Sequence, residues 1–107
     1  MKAKKKKQLK VKGWRVGSAS DFLDLSPEEA AFIEMKLALS RHLRRVRLKE
    51  PMTQTELARR LRSSQSRVAK MEASDPSVTM DLIIRGLLVL GVSPKQVARI
   101  ISQQQPA

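Results

Sequence analysis

The residues best suited to chemistry lie between Thr53 and Glu72, in the run Thr53-Gln-Thr-Glu-Leu-Ala-Arg-Arg-Leu-Arg-Ser-Ser-Gln-Ser-Arg-Val-Ala-Lys-Met-Glu72. The chemistry they fit is hydrogen bonding to base edges and phosphates. A Gln amide such as Gln65 pairs bidentately with adenine, a Lys such as Lys70 donates to guanine, and the methyl of Ala69 suits a thymine methyl. Arg59, Arg62, Ser64 and Arg67 have the charge or hydroxyl that grips phosphate oxygens. Gln54 stands at a helix start, where free N–H groups favour an anion.

Other chemistries find no support. The chain has no Cys, which excludes disulfides, thiol catalysis and Cys-based metal sites. His42 is the single histidine and reads as a surface residue, so no metal site is expected. Glu28, Glu29 and Glu34 read as capping and helix-surface residues, not paired catalytic carboxylates. With four Gly there is no phosphate-binding glycine loop, and no nucleophile stands with a base. Neither an enzyme nor a cofactor is expected.

Two short capped helices must position the candidate readers. Thr53 with Glu56 forms a capping box, and Leu57, Ala58 and Leu61 make the inner face of the helix that follows. Arg62-Ser63-Ser64 is the turn. Ser64 caps a further helix, Gln65 to Glu72, with Val68 and Met71 inward. At about 100° per residue, Ser66, Ala69 and Lys70 then face outward, with Gln65 on the N-terminal flank. Ala58 is small where the helices cross, and Val68 is β-branched where the second packs back. These are the demands of a helix-turn-helix.

The rest of the chain is helical too, giving an all-α class. Asp21 to Leu25 reads as a short helical turn. Ser26-Pro27-Glu28-Glu29 opens a long helix with a capping box and Pro at its first position. Phe32, Met35, Leu39, Leu43 and Val46 predict its buried stripe, and Pro51 its end. Thr79 caps a fourth helix that stops at Gly91, and Ser93-Pro94 opens a fifth that ends near Ser102. The predicted organisation is a basic arm over 1–19 (including Trp14), a domain over 20–102 and a frayed tail over 103–107.

Charge points to a polyanionic partner. The 107 residues have a formal net charge of +12. Eight of the 22 basic residues lie in residues 1–15, with no acid among them. Ten more lie from Arg41 to Lys70, against only Glu50 and Glu56. Arg41, Arg44, Arg45 and Arg47 read either as a solvated helix face or as an aid to approach. No apolar run reaches the roughly 20 residues of a membrane span. No apolar stretch follows Lys4 to Lys7, so export is not expected. The expected location is cytoplasmic and nucleoid-associated.

On Thr53, Gln54, Glu56, Leu57, Ala58, Leu61, Ser64, Gln65, Ser66, Val68 and Glu72, the chain resembles the XRE family, the Cro and phage-repressor type of helix-turn-helix. The resemblance implies a five-helix, lambda-repressor-like DNA-binding domain, a bacterial source and a backbone contact for Gln54. Arg62 departs from it, since the family has Gly there. Arg62 must accept a left-handed conformation or widen the turn. Asp21 to Glu29, Met35 to Leu39 and Leu87 to Val92 resemble the subgroup containing HigA-type antitoxins.

The fourth helix is apolar nearly all round, through Met80, Leu82, Ile83, Ile84, Leu87, Leu88, Val89 and Leu90, which predicts burial on more than one side. Ile84, Leu87, Leu88 and Ile101 are the expected homodimer interface, placing two reading helices about one DNA turn apart on a palindrome. The alternative is that the fifth helix covers this surface through Val97, Ile100 and Ile101. The sequence thus predicts a sequence-specific transcriptional repressor that binds double-stranded DNA. An alternative is an antitoxin that neutralises a ribonuclease toxin by protein contact and represses its own operon. No membrane partner and no small-molecule effector are expected.

Overall fold

The computed structural model describes residues 25–103, which form five α-helices and, among the described residues, no strand. They are α1 (Pro27–Lys49), α2 (Gln54–Leu61), α3 (Gln65–Glu72), α4 (Met80–Val89) and α5 (Pro94–Ser102). The all-α class is as the periodicity predicts. The arm 1–19 with Trp14, and the expected turn at Asp21 to Asp24, lie outside the described residues.

A division between Ile33 and Glu34 separates two units. In the first, Ser26 opens α1 as expected. Its N–H donates to Glu29 Oε1 at 2.9 Å, and its Oγ accepts from the Glu29 N–H at 3.1 Å. Leu25, Glu28, Glu29, Phe32 and Ile33 line a shallow, mostly apolar surface. Phe32 is 47% exposed, which corrects its assignment to the buried stripe.

In the second unit the buried face of α1 is Lys36, Leu39, Ser40, Leu43 and Arg47, with Ala38 beside it. Three of these are polar, so the spacing of apolar residues alone places the stripe on a rotated face. Two of the three have internal partners. Lys36 Nζ donates to the Asp75 carbonyl at 3.0 Å, tying α1 to the loop after α3. Arg47 is paired as described below. Among the described residues, the hydroxyl of Ser40 has no hydrogen-bond partner.

Leu39, Leu43, Leu57, Val68, Met71, Ile83 and Leu87 are fully buried and form the centre of the core. Burying each such side chain contributes about 1.5–3 kcal/mol. Gly86 lies on the buried face of α4, against Leu43 of α1 and Met71 of α3. A Cβ there would stand 3.0 Å from Met71 Cε and 3.1 Å from Leu43 Cδ1.

α2, α3 and α4 each end with the chain turning through a left-handed residue, at Arg62 (φ 56°), Ser74 (φ 57°) and Gly91 (φ 94°). In each, the next N–H reaches back five residues: Ser63 to the Ala58 carbonyl at 2.8 Å, Asp75 to Lys70 at 3.0 Å and Val92 to Leu87 at 3.0 Å. These are Schellman endings, which satisfy the orphan carbonyls of a helix end. Only one uses the glycine such an ending favours. Ser93 opens α5 with a second-partner capping box on Gln96, and Val97 and Ile100 are buried where α5 packs on α4. Thr79 stands at the cap position of α4 with extended backbone, but its side chain makes no capping hydrogen bond.

Candidate nucleic-acid interface

Local chemistry builds α2 and α3 as the sequence predicts. The Thr53 N–H donates to Glu56 Oε1 at 2.8 Å, while Thr53 Oγ1 accepts from the Glu56 N–H at 3.0 Å. Leu57, Ala58 and Leu61 are buried. Arg62 takes the left-handed conformation (φ 56°, ψ 48°), so the turn keeps its tight geometry with arginine where glycine would be unstrained. Ser64 Oγ accepts from the Arg67 N–H at 3.1 Å and lies 3.3 Å from Ser66 Oγ. Val68 and Met71 anchor the inner face of α3 with no exposure.

Of the expected base-reading residues, Gln65, Ser66 and Lys70 are exposed, while Ala69 is half-buried. Of the expected phosphate-binding residues, Arg59, Arg62, Ser64 and Arg67 are exposed. Gln54 differs: it is half-buried and engaged by protein at both ends of its amide. Its Nε2 donates to Glu72 Oε1 at 3.1 Å, and its Oε1 accepts from Gln65 Nε2 at 2.6 Å. The start of α2 is thus fastened to both ends of α3.

Arg47 corrects the reading of α1 as a uniformly cationic face. Its Nε and Nη2 donate to the two Glu72 oxygens at 2.5 and 3.0 Å, and its Nη1 donates to the Met52 carbonyl at 2.7 Å. The side chains of the pair are 9% and 3% exposed. The hydrogen bonds that Arg47 donates to Glu72 raise its pKa above the usual arginine value. Arg47 is therefore committed inside the fold, whereas Arg41, Arg44, Arg45 and Lys49 remain exposed. His42, between them, is half-buried; desolvation, with Arg45 adding repulsion, holds its pKa below the usual histidine value.

The expected interface between copies also changes. Leu87 is 0% exposed and belongs to the core, because α4 turns it between the other helices. Ile84 and Ile101 are half-buried, and Leu88 is 44% exposed. Sequence reading missed Glu72 as the hub of three hydrogen bonds, since its partners lie 18 and 25 residues away. The only signal was its place in the resemblance. Among the described residues, no group of three acidic, His or Cys side chains could hold a metal, and no helix is long and apolar enough to cross a membrane.

Two capped helices joined through a left-handed turn, the second presenting polar and basic side chains, define a helix-turn-helix DNA-binding protein. The family model of the helix-turn-helix domain matches residues 38–100, which covers more than half of the chain. The chain belongs to that family. No curated protein and no solved structure matches it.

Proposed function

We propose that this protein is a sequence-specific transcriptional regulator, acting as a repressor, that reads double-stranded DNA with α3. The observation that carries the reading is the α2–α3 pair, with Gln65, Ser66 and Lys70 exposed on one element and Arg59, Arg62, Ser64 and Arg67 exposed around them. In this reading Gln65 takes adenine, Lys70 takes guanine, Ser66 and Ala69 line the groove, and the surrounding cations hold phosphates. Gln54 contributes a phosphate contact from the start of α2 while orienting Gln65. A bacterial, nucleoid-associated location follows from the same reading.

The operator is a palindrome bound by a dimer. Ile84 and Leu88 lie one helical turn apart on α4, and both keep accessible apolar surface, as does Ile101 on α5. Light scattering after size exclusion tests this, with a twofold mass expected for the wild type and loss of it in Leu88→Glu. A monomer at high concentration removes the dimer. DNA binding itself is tested by competing a duplex from the upstream region of the gene against a scrambled duplex at fixed salt, because salt sets the nonspecific background. A preference of about a thousandfold or more is expected, and equal binding would mark a nonspecific binder.

A second reading, an antitoxin that also represses its own operon, draws on Phe32 and Ile33, which are exposed on the first unit. Co-purification with a ribonuclease-like product of a neighbouring gene, lost on Phe32→Ser, supports it. Failure of such a product to bind leaves the stand-alone regulator.

A further inference from the structure

At about 100° per residue, Arg44, Leu48, Arg41, Arg45 and Lys49 follow one another round the second half of α1 in a single arc. All five are exposed and belong to the second unit. Arg45 stands roughly 160° round the helix from both Leu43 and Arg47. Those two are buried, and Arg47 reaches across to Glu72 of α3. The arc therefore points away from α3. On α3, Val68 and Met71 face inward, while Ser66 and Lys70 are exposed on the far side. The cations of α1 and the base-reading side chains thus look in opposite directions, and a duplex seated on α3 does not reach Arg41 and Arg45.

Among the described residues, none of the four cations in the arc makes an ion pair. Arg41 with Arg45, and Arg45 with Lys49, are like charges four residues apart, which weakens a helix. No acid stands three or four residues from any of them. An anionic partner relieves this repulsion. Leu48, 49% exposed, lies in the same arc with Arg44 and Arg45 one turn before it. Phosphates alone leave Leu48 without a partner, whereas a protein segment satisfies leucine and arginines together. Arginine forks pair two-pronged with carboxylates, and an apolar contact ringed by charge is the ordinary anatomy of a protein interface. We infer that the outward arc of α1 docks an acidic segment of a partner protein, one that brings an apolar side chain to Leu48, on the side opposite α3. This docking does not depend on the reading of α3.

Fluorescence anisotropy with the full chain tests this, using a labelled copolymer of glutamate and tyrosine as the acidic, partly apolar probe and poly-glutamate as its purely acidic counterpart. The variants are Arg41→Glu/Arg45→Glu, Leu48→Ser, and Lys95→Glu/Arg99→Glu, which makes the same charge change at exposed sites on α5. Circular dichroism confirms that each is folded. The expected result is that Arg41→Glu/Arg45→Glu weakens copolymer binding about tenfold more than the α5 control does. Leu48→Ser should weaken the copolymer about threefold or more and leave poly-glutamate unchanged. Wild type already carrying one duplex from the upstream region of the gene should still bind the copolymer. Equal losses in the two double variants, or unchanged copolymer binding in Leu48→Ser, overturn the inference. So does a loss of duplex affinity in Arg41→Glu/Arg45→Glu beyond that of the control, which would assign the arc to DNA. A wild type with no duplex preference would overturn the reading of α3 and leave the docking surface standing.

Discussion

Arg47, near the end of α1, and Glu72, the last residue of α3, form a two-pronged ion pair across 25 residues of sequence. With the Met52 carbonyl also on Arg47, the pair fastens the chain entering α2 to the end of α3. Removing one partner of a buried pair strands a charge, at a cost of about 3–5 kcal/mol. Glu72→Ala should therefore lose about 3 kcal/mol in urea unfolding followed by circular dichroism. A loss below about 0.5 kcal/mol would show that the pair is solvated in solution.

Arg62 holds a left-handed conformation that costs a residue with a Cβ about 1 kcal/mol relative to glycine. Arg62→Gly should stabilise the fold by up to that amount while weakening DNA binding through loss of a phosphate-facing cation. Ser74→Gly, at the matching turn after α3, should stabilise similarly without changing DNA affinity. Thermal melts and titrations on the same samples separate the two effects. Destabilisation by both glycine substitutions would show that the turns are not strained.

Gly86 gives α4 its close approach to Met71 and Leu43. Gly86→Val adds branched bulk where even a single Cβ is at 3.0 Å, and overpacking of this kind costs about 1–3 kcal/mol. Gly86→Ala should cost much less, because the flexible end of Met71 can give way and alanine favours helix by about 1 kcal/mol. Equal midpoints for Gly86→Val and wild type in urea would refute the close approach.

His42 has its pKa held down by desolvation, with Arg45 adding to it. The folded chain therefore binds a proton at this site less readily than the unfolded chain. Above the ordinary histidine value both states are neutral there and stability is unaffected. As the pH falls through about 6.5 the unfolded state takes up the proton first, and stability is lost until the folded pKa is passed. His42→Gln should lose less stability than wild type between pH 7.5 and pH 5. Parallel losses in the two proteins over that range would contradict the shift.

Much of this was legible because the helix starts are written locally. Thr53 with Glu56, Ser64 before Gln65, and Ser93 before Pro94 are local signals, so the starts of α2, α3 and α5 could be read directly. The strain at Arg62 was legible only as a departure from glycine. The errors share a cause, which is that periodicity counts polar residues as outward. Lys36, Ser40 and Arg47 turn inward on α1, Phe32 turns out, and Leu87 cannot be told from Leu88 on a helix apolar all round. The links from Glu72 to Arg47 and Gln54, and from Gln54 to Gln65, depend on tertiary closure, so no spacing rule reveals them.

The account rests on α3 reading sequence while the cations around it supply affinity. Binding-site selection with wild type, Lys70→Ala and Arg67→Ala, at one defined salt concentration, tests it most directly. The expected result is a defined wild-type site, relaxed at one position by Lys70→Ala. Arg67→Ala should select the same site with weaker binding throughout and a salt slope reduced by about one phosphate contact. Identical selected sites for Lys70→Ala and wild type would remove Lys70 from the reading set, and the absence of any selected site would contradict the central claim.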